Sequence, residues 1–168
     1  MSEENSIEFQ APGAQRADIA QAVEEEFPGQ FEHEDFGGQS VFQHKGSYTC
    51  FTLGETQAML ASATDVVRKM YLDKFSGGYG FTPDFEMSCR YDKANPDLSR
   101  ELEAKMINLI LMASAGDVIY MAGYEKPRLW RRGGDIAIAS NDNHWTLPGN
   151  YAQHLEPATQ SVPMPEGF

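Results

Sequence analysis

Apolar positions recur along the chain with two periods, and the switches between them predict its elements. Ile19, Val23 and Phe27 fall four apart and predict a short first helix over 14–27, stopped by Pro28-Gly29. Gln39 to His44 and Ser47 to Leu53 read as strands around a Lys45-Gly46 turn, and 30–38 reads as a loop closed by Gly37-Gly38. Thr52 and Glu55 have capping-box spacing, and Met59, Leu60, Ala63, Val66, Val67, Met70 and Tyr71 then follow helical spacing to Phe75. From Phe85 to Asp92 apolar and polar residues alternate, as in a half-buried strand. Asn95-Pro96 opens a second long helix whose buried face holds Leu98, Leu102, Met106, Leu109, Ile110 and Ala113. Val118–Tyr124, Arg128–Arg132 and Asp135–Ser140 read as three closing strands, the last two joined by Gly133-Gly134.

The order is therefore α-β-β-α-β-α-β-β-β. Hairpin-joined strands with helices between them predict a single α+β domain, mainly antiparallel sheet packed on two long helices and a short N-terminal one. Residues 1–12 are expected to be a flexible acidic N-terminus, 13–145 the domain, and 146–168 a Pro-rich extended tail. The 168-residue length suits one core that needs neither disulfide nor metal.

Charge changes the picture more than length does. The net charge is −12, and nine of those charges come from residues 1–36, where ten carboxylates face Arg16 alone. Phosphate binding depends on Lys and Arg displacing counterions, so direct contact with nucleic acid or an anionic membrane is not expected. A basic protein surface is the expected partner, with a nucleic-acid-binding protein as one version and nucleic-acid mimicry as its sharpest form. The plainer alternative is that the acidic end keeps the protein soluble. Glu24, Glu25 and Glu26 crowd the last turn of the first helix, where the dipole favours cations, and a basic partner would relieve them. Glu32, Glu34 and Asp35 continue the patch, and Tyr79 and Phe81, on a glycine-rich loop, are the expected aromatic anchors.

Other constellations compete. Lys126, Arg128, Trp130, Arg131 and Arg132 concentrate four of the thirteen bases around an indole. As a strand, that segment puts Arg128, Trp130 and Arg132 on one face, able to take a phosphate or another anion with Lys126. Arg131 would then follow Leu129 inward and need a carboxylate. Glu32-His33-Glu34-Asp35 alternates two possible ligand pairs but fits neither an EF-hand nor a zinc-helix spacing, so no metal is assigned. Cys50 with His44, or with Asp142 and His144, forms a Cys-His-Asp set on paper. The strand setting of Cys50 and Cys89 favours buried free thiols in a reducing compartment, with a single bridge left open. No Cys-x-x-Cys pair and no Gly-x-Ser-x-Gly occurs, which removes zinc ribbons, thioredoxin-like sites and hydrolase elbows.

The expectation is a cytoplasmic, non-catalytic inhibitor or adaptor without cofactor, of a kind a virus or mobile element would encode. The rival readings are an enzyme or small-ligand binder at the arginine–tryptophan face, and a structural subunit of a larger assembly.

Overall fold

The computed structural model describes residues 4–123, 126–134, 136–139 and 160–162. Strands β1 (Glu4–Phe9), β2 (Phe31–Phe36), β3 (Gln39–His44), β4 (Cys50–Glu55), β5 (Phe85–Arg90), β6 (Val118–Ala122), β7 (Lys126–Arg131), β8 (Ile136–Ala139) and β9 (Gln160–Val162) form one sheet. Its order is β2-β3-β4-β5-β1-β6-β7-β8-β9. Neighbouring strands are antiparallel from β2 to β8, and β9 joins β8 in parallel. Helices α1 (Arg16–Glu26), α2 (Thr56–Ser62), α3 (Asp65–Leu72) and α4 (Pro96–Ala113) complete an α+β fold. A π-helical segment, Asp73–Tyr79, extends α3. Among the described residues, no helix is long and apolar enough to cross a membrane.

The main core lies between one face of the sheet and helices α1 and α4. Ile7, Phe9, Phe42, Phe51, Leu53, Met87 and Tyr120 point into it from the strands, Ile19 and Val23 from α1, and Met106, Ile107 and Ile110 from α4. Alternation along each strand leaves the intervening side chains on the opposite, outer face. There a smaller core gathers Phe75, Tyr79 and Phe81 over Ile119, Met121, Trp130 and Ala139. Its strand members come from β6, β7 and β8.

Four expectations change. Residues 4–9 do not fray: β1 is the centre of the sheet, with Asn5, Ile7 and Phe9 turned into the main core. The stretch read as a loop at 30–38 contains edge strand β2, fully paired with β3. Thr52 is no helix cap, because β4 pairs with β5 through Glu55 and so delays helix entry to Thr56. The expected long helix breaks after Ser62, and Thr64 caps α3 instead by accepting from the Val67 amide at 3.3 Å. That break leaves Val66, Val67 and Met70 mostly exposed at 68%, 54% and 67% rather than in the core. Of the tail, Gln160–Val162 forms the edge strand β9, and the rest lies outside the described residues.

Arg131 also finds a different partner from the carboxylate expected. Helix α4 has no base in its last turn, and its closing carbonyls need donors. Arg131 supplies them from β7, donating to Leu111 O and Ser114 O at 2.7 Å each and to Gly116 O at 2.8 Å. Burial lowers the guanidinium's pKa, and Asp117 pushes back.

Candidate functional site

The rest of the outer face is built by register. Gln39, Gly54, Glu86 and Glu8 stand abreast on β3, β4, β5 and β1. The next row holds Val41, Thr52, Ser88 and Ser6. Helix α2 rises beside these rows, brought close by Gly38, where a Cβ would sit 2.7 Å from the Ala58 Cβ. Between helix and rows lies a cleft of about 360 Å³ lined by Phe36, Gln39, Gly54, Thr56, Met59 and Glu86, among others. Its volume falls within the usual range for small-ligand sites.

At the end of the first row two carboxyl groups meet. Glu8 is 1% exposed, accepts from the Tyr71 hydroxyl at 2.9 Å and hydrogen-bonds with Glu86. Two carboxyls can bond to each other only if one keeps its proton. Burial, and then the charge and hydrogen bond of Glu86, raise the Glu8 pKa well above its ordinary 4.5. Lys74 stands close enough to oppose that rise, and desolvation lowers its own pKa. Burial, with Glu8 adding to it, raises the Tyr71 phenol, so it stays a donor.

One polar atom nearby is left over: Ser6 Oγ makes no hydrogen bond, whereas the Thr56 hydroxyl is shared with the Tyr71 phenol. Both residues are buried. Buried polar atoms without partners are uncommon and call for an explanation.

The other face carries a second buried carboxylate with a different environment. Glu103 of α4 accepts from Asn5 Nδ2 at 3.0 Å, from Tyr91 at 2.6 Å and from Tyr120. Desolvation and the Glu103 charge raise both phenols, which keeps them protonated as donors. This network ties α4 to the centre of the sheet.

The residues singled out from sequence divide sharply. Glu24, Glu25 and Glu26 are exposed at the end of α1, and Glu32, Glu34 and Asp35 are exposed along β2. Tyr79 and Phe81 are not exposed anchors: at 5% and 6% exposure they form the smaller core, because the π-helical segment turns them onto the sheet. Trp130 joins them at 7%, so its indole offers no open platform between Arg128 and Arg132. The Lys126 side chain lies outside the described residues.

Catalysis at Cys50 finds no geometry. Cys50 is paired with Gln43 and faces outward, whereas His44 faces the opposite side, edge-on to Phe31 and bonded to Ser47 Oγ at 2.9 Å. Both cysteines are free and buried, and burial raises both thiols, the reverse of an activated nucleophile. Asp142 and His144 lie outside the described residues. His33 bonds to Asp35 at 3.0 Å and stacks on Phe42, while Glu32 and Glu34 face the other way. Ser40 and then His33 lower the Asp35 pKa. Among the described residues, no group of three acidic, histidine or cysteine side chains is arranged to hold a metal.

Sequence reasoning missed Glu8, Glu86, Tyr71, Lys74 and Thr56. The available signal was a carboxylate between two core residues, Ile7-Glu8-Phe9 and again Phe85-Glu86-Met87. Comparison with known proteins supplies no guide: no family model matches the chain, and no curated protein or solved structure matches it.

Proposed function

We propose that this chain is a small acidic binding protein, an inhibitor or adaptor, that docks on a basic protein surface through the end of α1 and strand β2. The observation that carries the reading is local. Glu24, Glu25, Glu26, Glu32 and Glu34 are exposed, and none has an ion-pair partner among the described residues. On the α1 side of β2, Glu24 shares a groove with His33 and Asp35, and Glu32 and Glu34 project from the strand's other face, so carboxylates flank β2 on both sides.

Strand β2 ends the sheet order, which gives it an edge able to accept a further strand. Its acidic side chains discourage a second acidic copy and favour a basic segment. Phe36, 57% exposed at the end of β2, replaces the buried Tyr79 and Phe81 as the apolar contact. Nucleic-acid mimicry is the narrower form of this reading, with carboxylates standing where phosphates would.

Calorimetric titration with an extended Lys- and Arg-rich peptide tests it. The expected result is binding that weakens steeply with salt and is lost when Glu24, Glu25 and Glu26 are changed to Lys. Changing Asp65, Asp73 and Glu101 to Lys alters net charge equally and should leave the affinity within about threefold. Equal losses in both variants would reduce the effect to net charge and overturn the assignment.

A further inference from the structure

The free side of β2 presents main-chain groups in a fixed phase. The Lys45 amide donates to Gln30 O at 3.0 Å, one rung beyond the Phe31–His44 pair. In an antiparallel ladder hydrogen-bonded rungs alternate with unbonded ones, so Gln30, Glu32, Glu34 and Phe36 turn their N–H and C=O groups toward β3. Phe31, His33 and Asp35 turn theirs away from it. The next ladder has the opposite phase, as this requires: the His44 amide donates to Thr49 O at 2.9 Å, away from β2. Phe31 is buried, whereas His33 and Asp35 are exposed. Two successive rungs therefore stand open at the end of the sheet, and among the described residues no strand pairs with them.

Edges of this kind are commonly blunted by a bulge, a proline or a covering element. The β2–β3 register runs through six pairs without a shift, and β2 contains no proline. What guards this edge is charge of one sign. Glu32 and Glu34 project from the outer face of β2, and on the other face Asp35 shares a groove of about 340 Å³ with Glu24 and His33. The Arg16 guanidinium in that groove is held by Gly37 O at 2.8 Å and by Glu55 at 3.4 Å. The carboxylates repel an acidic strand, β2 of a second copy included, and attract a basic one. Phe36 follows Glu32 and Glu34 on the outer face and ends it with an apolar contact.

We propose that the partner of the α1–β2 surface docks by strand addition, a basic extended segment pairing antiparallel with β2 through the main-chain groups of His33 and Asp35. This mode rests on the acidic docking surface proposed above and adds a sequence pattern to it. Residues of the segment opposite His33 and Asp35 carry the amides that bond to β2 and point their side chains toward α1. Those opposite Glu34 and Glu32 are Lys or Arg, and the one opposite Phe36 is apolar. From its N-terminus the segment runs apolar-x-basic-x-basic. Antiparallel addition repeats the pairing that β2 has with β3, and it is slightly the more stable form per residue.

The test is titration calorimetry of the full chain with acetyl-Ile-Thr-Lys-Thr-Lys-Thr-amide and two N-methylated forms of it. One form carries methyl groups on the threonine amides opposite Asp35 and His33, the other on the two lysine amides, which point away from β2. Methylating the threonines should weaken binding about tenfold or more, and methylating the lysines should leave it within about threefold. Amide exchange gives a second reading. Saturating peptide should slow the His33 and Asp35 amides about tenfold or more, whereas Glu32 and Glu34 should be slow in the free chain as well. Equal affinity of the two methylated forms overturns strand addition, while the docking surface stands if reversal of Glu24, Glu25 and Glu26 still abolishes binding. Failure of the unmodified peptide where a Lys- and Arg-rich peptide binds overturns strand addition alone, and failure of both overturns the docking surface too. Slow exchange at His33 and Asp35 in the free chain, slower still at higher protein concentration, would put a second copy on the edge and overturn the proposal.

Discussion

On the helix side of the sheet, Glu103 is enclosed by Asn5, Tyr91 and Tyr120, all donating to it. On the outer side, Glu8 has the Tyr71 hydroxyl and a second carboxyl. Both are 1% exposed, so burial does not distinguish them. The difference is the supply of protons. A carboxylate met by several donors can stay ionised inside a protein and bind the surrounding elements together. One met by another acid keeps its proton, and the site remains chemically unfinished. Ser6 Oγ, buried without a hydrogen bond, lies on this second side.

The comparison breaks if the two glutamates respond alike to substitution. Glu103→Ala strands three donors, Asn5 on β1, Tyr120 on β6 and the partly buried Tyr91 just beyond β5, and opens a gap under α4. The expected cost is roughly 3–5 kcal/mol in urea unfolding, the range for removing one partner of a buried charged network. A cost below about 1 kcal/mol would mean that the tyrosines re-pair or reach water, and Glu103 would lose its place as the bond between helix and sheet.

Glu8→Gln should act in the opposite direction and depend on pH. The folded protein holds the Glu8 proton above the ordinary 4.5, whereas the unfolded chain releases it near that value. The stabilisation from this raised pKa is complete below about 4.5 and is lost as the pH climbs through the folded-state value. At neutral pH the wild-type protein therefore bears the cost of the pair, and a neutral amide able to donate to Glu86 should gain on the order of 1 kcal/mol. The gain should shrink on acidification toward pH 5. Parallel stability curves for the two proteins across that window would show that Glu8 does not titrate there.

Much of this architecture can be read from local pattern. The periodicities place α1, α4 and the strands at 39–44, 85–90 and 118–122 close to their observed limits, because each pairs a clear period with a Pro or Gly stop. What fails depends on contacts between distant residues. Ile7 and Phe9 carry too short an alternation to reveal the central strand, whose partners lie more than seventy residues away. Thr52 and Glu55 satisfy a capping pattern, but pairing with β5 extends the strand through both. The acidic surface was legible because charge needs no partner to be counted. The Glu8–Glu86 pair was not, since its existence depends on register.

Helix α3 gives the smallest of these tests and the sharpest contrast of pattern with environment. Its apolar residues have the spacing of a buried helix face, yet it contributes no buried residue. Val66, Val67 and Met70 stand on the solvent side, while Phe75 and Tyr79, one turn further on, make the contact with the sheet. Removing apolar surface that is already in water forfeits little burial. Val66→Thr, Val67→Thr and Met70→Gln should each change unfolding free energy by no more than about 0.5 kcal/mol. The isolated chain should also show a thermal melt independent of protein concentration before and after the changes. A cost above about 1.5 kcal/mol at Met70, or a midpoint that rises with concentration only when the three residues are intact, would show that α3 is buried in solution against a second copy. The outer face would then be covered on both halves, and its contrast with the helix side would be one of covering element rather than of exposure.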